Sequence, residues 1–423
     1  MQNYPSSVSL KTLFILIPIS LFSILVFVSV SLKSTPQPPP SSDPYLFPST
    51  TIQHTLFLNP NSSSNLDPAS FPSPPSIAYF ISGSYGDLDR IERLLCAVYH
   101  PKNFYLLHLD RFAPQQERDE LAMRVQGVSI FEAARNVFVV GKADFAYQKG
   151  STFISATLRG ASILLRLAAK WDWFVNLNAK DYPLVTQDDL LHILSYMPKN
   201  LNFVNHTSYI GWKESRRMKP IIVDPGLYLQ EKTEMFHVAQ KRDLPHAFRL
   251  FTGLSTAVLT REFIEFCILG SDNFPRTLLM YFANMPSSQL NYFPTVICNS
   301  KQFKRTIVNG NLQYTAFGNN SRDVFPRPLD LNDFKDMKKS GVAFAAQISD
   351  LQLLDYIDRH LLGRHSGQLV PGGWCIGDLL NGTCSSWGDA DILRPGHRSM
   401  RLEKHIQKLL ADGAFVSHQC PVE

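Results

Sequence analysis

The residues best suited to chemistry sit where short apolar runs stop. Trp173, Phe174, Val175 and Leu177 lead to Asp181, Tyr182 and Pro183. An apolar run ending at a polar turn reads as a strand buried on both faces, and ligands of α/β proteins bind at such strand ends. Asp181 is therefore a candidate ligand-binding carboxylate; its alternative role is to cap the helix suggested by Asp188, Asp189, Leu190 and Leu191. Asp110 closes a second run, Tyr105–Leu109, and Tyr147 follows a third, Val137–Val140. Gly83-x-x-Gly86 precedes a helical pattern and either lets backbone approach an anionic ligand or serves the turn alone. Asp87-Leu88-Asp89 has the Asp-x-Asp form that can hold a divalent metal, but both acids fall in the first turn of that helix, where the dipole favours them without any metal, and no metal site is assigned. Lys213, Arg216 and Arg217 beside Trp212 suit an acidic sugar or phosphate, or else form a solvated loop.

These groups need a scaffold, and the chain alternates strand and helix patterns to supply one. Ile77–Ser82 reads as a strand, followed by a glycine turn and a helix with Leu88, Ile91, Leu94, Leu95 and Val98 on one face. A second helix is expected over about 152–169, with Leu158, Ala161, Leu164, Leu165 and Ala168 inward. Right-handed crossovers then give a largely parallel sheet whose strand ends share one crevice, within reach of Asp110, Tyr147 and Asp181. Beyond residue 200 the chain turns irregular, with Pro-, Asn- and Gly-rich loops of the kind that select substrate.

The 423 residues divide by composition. Residues 1–11 form a short tail and 12–32 an uncharged apolar run long enough to cross a bilayer core of roughly 30 Å. A retained signal anchor is expected, with a cleaved signal peptide as the competing reading. Lys11 and the amino terminus place the tail on the cytosolic side and the bulk of the chain in the lumen. Residues 33–76, rich in Pro, Ser, Thr and Asn, read as an extended stem, and 77–423 as the luminal domain. Six cysteines fit an oxidising compartment. Cys375 and Cys384 flank a turn and can close a small loop, Cys267 and Cys298 are further disulfide candidates, and Cys96 on its helix suits a buried free thiol. Sequons at Asn61, Asn205, Asn319 and Asn381 are glycosylation candidates for a luminal chain. A net charge of +5, from 41 basic and 36 acidic residues, is too mild and dispersed for a nucleic-acid surface.

The stretches Ile77–Leu88, Tyr99–Asp110, Trp171–Leu177 and Asp181–Leu191 together resemble glycosyltransferase family 14, the core-2/I-branching β-1,6-N-acetylglucosaminyltransferases, in their plant branch. The resemblance continues through Asn202–Ser208, Gly211–Glu214, Asp224–Tyr228, Leu250–Gly253, Pro275–Tyr281, Thr295–Asn299 and Pro371–Cys375, and spans about residues 77–395. It implies a type II Golgi membrane enzyme with a GT-A-like, Rossmann-type fold that inverts the anomeric centre of a UDP-sugar with no metal or other cofactor. Plant members resembling this chain are associated with glucuronosyl transfer onto the β-galactan of arabinogalactan proteins, so the implied partners are a UDP-sugar donor, that glycan acceptor and the Golgi membrane. By matching positions, Gly83, Asp110, Tyr147 and Asp181 bind the donor, while Lys213 and Arg216 face the acceptor.

The departures from the family pattern concern its chemistry. The family's Ser-Ser-Pro-Glu supplies the carboxylate base, and here the segment reads Ser287-Ser288-Gln289-Leu290. Leucine accepts no proton, and general-base catalysis contributes about 10² to 10⁴-fold. The plant Phe-Ala-Arg-Lys-Phe is Phe344-Ala345-Ala346-Gln347-Ile348, replacing the lysine that steadies the donor diphosphate with a neutral amide. Gly253-Leu254-Ser255-Thr256 lacks the family's tryptophan, and Asn178-Ala179-Lys180-Asp181 introduces Lys180, which either supplies the missing charge or faces solvent. Three readings follow. The chain is a glucuronosyl- or acetylglucosaminyltransferase with another base, a pseudoenzyme that binds an active homologous transferase, or a transferase with an unfamiliar donor.

Overall fold

The computed structural model describes residues 45–47, 72–207, 210, 212–232, 234–318, 325–376, 384 and 386–420. The predicted tail and anchor, Lys213's side chain, and the sequons at Asn61, Asn319 and Asn381 lie outside the described residues. No helix among the described residues is long and apolar enough to cross a membrane.

The architecture is mixed α/β around a central seven-stranded sheet. Its strands are β1 (Ile77–Gly83), β2 (Phe104–Leu109), β3 (Val137–Val139), β4 (Trp173–Asn178), β6 (Asn202–Phe203), β11 (Val258–Thr260) and β12 (Ile307–Val308), in the spatial order β12-β6-β11-β4-β1-β2-β3. β1 pairs in parallel with both β2 and β4, and β2 with β3. The sheet departs from a uniformly parallel arrangement at β11, which runs antiparallel to β4 and β6. There Thr260 ends the strand and immediately caps the helix Arg261–Ile268.

Burial on both faces explains why these strands lack polar alternation. Ile77, Tyr79 and Ile81 of β1 pack into one core with Leu88, Ile91, Leu94 and Leu95 of the helix Leu88–Val98. Ala78 and Phe80 pack into the other with Ile154, Leu158, Ala161 and Leu164 of the helix Thr152–Leu167. The helix after β4, Gln187–Ser195, is capped by Thr186, whose hydroxyl accepts from the Asp189 N–H while Asp189 answers with a capping box. Asp181 takes no part in that cap.

Three smaller sheets complete the architecture. β5 (Tyr182–Pro183) pairs with β14 (Phe344–Ala345), which pairs with β13 (Gln313–Tyr314); β7 (His206–Thr207) pairs with β10 (Thr252–Gly253); β8 (Pro220–Val223) pairs with β9 (Phe236–Lys241). The antiparallel β5–β14 pair joins chain segments far apart in sequence and brings residue 347 beside the end of β4.

Part of the expected stem belongs to the domain. The Phe47 N–H donates to the Val139 carbonyl and the Gly141 N–H to the Tyr45 carbonyl, so 45–47 lies along the open edge of the sheet. Pro74, Pro75 and Ser76 are buried as well, with the Ser76 N–H donating to Asp172. A composition rich in proline tolerates this because an edge segment leaves alternate N–H groups unused.

The disulfides are Cys375–Cys384 and Cys298–Cys420. Cys267 corrects the expectation: it is a buried free thiol on the helix Arg261–Ile268, as Cys96 is on Leu88–Val98. Cys298 bonds instead to Cys420, which tertiary packing delivers from near the carboxyl terminus.

Candidate active site at the strand ends

A cavity of about 270 Å³ opens at the carboxyl ends of β1, β2 and β4. The chain steps outward from β1 to β2 and β3 and then returns across the sheet to β4, so the connections that leave β1 and β4 run in opposite directions and open a crevice between these neighbours by geometry alone. Gly83 ends β1 inside the cavity. A Cβ there would meet the Asp87 and Ile91 side chains at 2.9 Å, which explains the residue, and Gly86 turns the chain at φ +77°.

Asp110, at the end of β2, is nearly fully buried and lines the cavity. Its Oδ1 accepts from the Ser84 hydroxyl at 2.9 Å and from the Phe112 N–H at 3.0 Å. Burial pushes its pKa up to about 6, and those hydrogen bonds oppose the rise. Tyr147 forms another part of the wall. Its hydroxyl bonds with the backbone of Gln230 and Lys232, tying the wall to the β8–β9 connection. Beneath it the Asp224 carboxylate accepts from the Ser151 and Thr152 N–H groups and the Thr152 hydroxyl, all at 2.8 Å. That clamp fixes the start of the helix Thr152–Leu167, whose Phe153, Ala156 and Thr157 also line the cavity.

Asp181, the expected donor-binding carboxylate, sits next to the cavity and is not among its lining residues. It lies behind the wall, buried, with Oδ2 accepting from the Asn178 N–H at 2.9 Å. Burial raises its pKa to about 6. Its work is to close the turn that presents Asn178 and Lys180 to the cavity. Gln347 lines the same wall. It holds a left-handed φ of +57°, a sparsely populated region for a residue with a side chain. The Ile348 N–H donates to the Lys180 carbonyl at 2.7 Å, locking the two segments together.

Two of the expected site elements lie off the cavity. Arg216 is exposed, its guanidinium 5.6 Å from the ring centre of exposed Trp212. Leu290 is buried at the end of the one-turn helix Ser288–Leu290 and forms no part of the cavity lining. Its neighbour Gln289 touches the lining instead, donating from Nε2 to the Gln148 carbonyl, while its buried Oε1 has no partner among the described residues. Asn205 is half-buried between β6 and β7. Asp87 and Asp89 diverge: Asp87 Oδ2 accepts from the Ser84 N–H at 2.9 Å, whereas exposed Asp89 pairs with Arg124 at 2.8 Å.

The structure adds His108 to the cavity wall. It is almost wholly buried, stacks on Phe80, and has no partner for Nδ1 among the described residues. Burial lowers its pKa to about 4, with Arg159 and Arg118 contributing, so the ring is neutral near pH 7. The available signal was a polar residue between Leu107 and Leu109 within an otherwise apolar buried strand.

Comparison with known proteins follows the same residues. The sequence profile of the Core-2/I-Branching enzyme family matches residues 77–338. The chain is 48% identical to beta-glucuronosyltransferase GlcAT14A of Arabidopsis thaliana over 355 residues, 83% of this chain and 79% of that one. It is 44% identical to GlcAT14C of the same plant over 367 residues, covering 85% and 90%. Xylosyltransferase 2 of Homo sapiens is 29% identical over 245 residues, 57% of this chain and 26% of the relative. The apo crystal structure of mouse xyloside xylosyltransferase 1 aligns with a TM-score of 0.27 and 7% identity over 52% of this chain and 81% of that one, too slight a likeness to carry an argument about fold.

Proposed function

Because the chain belongs to the core-2/I-branching enzyme family, we propose that it is a glycosyltransferase that moves glucuronic acid or N-acetylglucosamine from a UDP-sugar to a β-galactan of the arabinogalactan type. The site is read as GT-A-like, inverting and metal-independent, in a luminal domain of a Golgi type II membrane protein. The observation that carries this reading is the cavity at the ends of β1, β2 and β4, bordered by Gly83, Ser84, Asp110 and Tyr147.

In this reading the donor's nucleoside enters beside Asp110, whose carboxylate is an acceptor for a ribose hydroxyl. Tyr147 offers an aromatic face whose position is fixed by its hydroxyl contacts. Lys180, Asn178 and Gln347 surround the part of the ligand that carries the leaving diphosphate. Displacement at the anomeric carbon then requires a base opposite the leaving group.

A second reading rests on Leu290. Its side chain is apolar and buried where the family motif carries the acid, and this favours a binding protein that keeps the donor cavity without turnover. One experiment separates the two. UDP release by the purified full chain, supplied with UDP-glucuronate or UDP-N-acetylglucosamine and β-galactan acceptors, is measured beside Leu290→Glu. Turnover by the wild type establishes the enzyme. Silence that Leu290→Glu relieves marks a disabled transferase, and silence from both in folded protein overturns the transferase reading in favour of binding.

A further inference from the structure

The charges on the cavity wall are unequal. Two carboxylates, Asp87 and Asp110, line it, and the one cationic side chain among its described lining residues is Lys180. A diphosphate entering this space meets a predominantly anionic wall, so it must either bring a cation or lie against the ammonium. Lys180 is placed for the second solution. Its side chain is exposed and makes no ion pair with a described residue. Its backbone is held at both ends of the residue: the N–H donates to Asn178 Oδ1 at 3.1 Å, and the carbonyl accepts from Ile348 at 2.7 Å. Two independent parts of the fold therefore root this lysine, the turn closed by Asp181 and the segment following β14. A free ammonium on a fixed base beside a concave site loses little order on meeting an anion.

We infer that Lys180 is the residue that binds the diphosphate of a nucleoside-diphosphate ligand in this cavity, with Gln347 beside it as a neutral hydrogen-bond donor. The inference rests on the nucleotide-sugar reading above and assigns the charge within it. Asp87 and Asp110 thereby favour one orientation of the ligand, nucleoside toward β2 and phosphates toward the end of β4, because the reverse would set phosphates against carboxylates.

The test is calorimetric titration of the purified full chain with UDP and with uridine, once in EDTA and once with Mn²⁺, for wild type, Lys180→Gln and Lys180→Arg. Wild type is expected to bind UDP in EDTA. Lys180→Gln is expected to weaken UDP by about tenfold or more, the worth of a charge-assisted hydrogen bond, and to leave uridine unchanged. Lys180→Arg should retain most of the affinity. Equal UDP affinity in wild type and Lys180→Gln overturns the inference while leaving the nucleotide-sugar reading intact, as does UDP binding that requires Mn²⁺. Wild type that binds neither UDP nor uridine overturns the nucleotide-sugar reading and this inference with it.

Discussion

Asp110 shows how surroundings change the chemistry of one side chain. An aspartate at a strand end is ordinary, but burial brings this one close to half-protonated near pH 6, while Ser84 and Phe112 fix its orientation. Protonation removes acceptor capacity that a ribose hydroxyl would use. UDP affinity is therefore expected to fall as pH drops through about 6, and Asp110→Asn to bind several-fold more weakly with that pH dependence flattened. Calorimetry from pH 5 to 8 checks both, and an unchanged pH slope in the variant would remove Asp110 from the nucleoside end of the site. Asp181 illustrates the converse. It has the same residue type, a similar strand-end position and a similarly raised pKa, yet its Oδ2 accepts from the Asn178 N–H and so closes the turn that carries Lys180.

At the level of elements, the site depends on how tightly β1 turns into the helix Leu88–Val98. Adding a methyl at Gly83 forces it within 2.9 Å of Asp87 and Ile91, so Gly83→Ala is expected to cost about 1–3 kcal/mol and to displace the cavity wall. Gly86→Ala meets no atom within 4 Å, and its cost is the left-handed φ of +77° alone, about 1 kcal/mol. Thermal melts of the two variants together with UDP titration check the contrast: a neutral Gly83→Ala would mean that the turn relaxes freely. The elements themselves were largely legible. The run Ile77–Ser82, the Leu88-to-Val98 stripe and the apolar segment from Trp173 each became the expected strand or helix, because hydrophobic periodicity reflects burial directly. The short pairs β5–β14 and β7–β10 carry too few residues for any period to register, and their formation depends on partners remote in sequence.

Across the whole molecule, buried titratable groups set opposing pH responses. His108 holds a pKa near 4 when folded against an ordinary 6.5, so the unfolded chain binds the extra proton between those values and stability is lost as pH falls from about 6.5 to 4. Its share is roughly 3 kcal/mol across that window. Asp110 and Asp181, raised from 3.8 to about 6, act in the opposite sense, since the folded state then binds more protons and their penalty fades as pH falls through 6. The full-chain curve is thus a partial cancellation, and His108→Gln is expected to flatten the acid side of it. Denaturant unfolding at pH 4.5 and 7 checks this; an identical pH dependence in variant and wild type would mean that the His108 pKa is not lowered in the folded chain. The sequence by itself determined the alternating strand and helix order, the two-sided burial of the strand from Trp173, and the family to which the chain belongs, because each is encoded in contiguous residues. Tertiary structure alone decided that Asp181 lies behind the wall, that Lys180 and Gln347 share it, that Cys298 bonds to Cys420 and that Tyr45–Phe47 joins the sheet edge. Apart from the local Asp181 turn, these are contacts between segments distant along the chain, fixed by strand pairing and packing that no local pattern records.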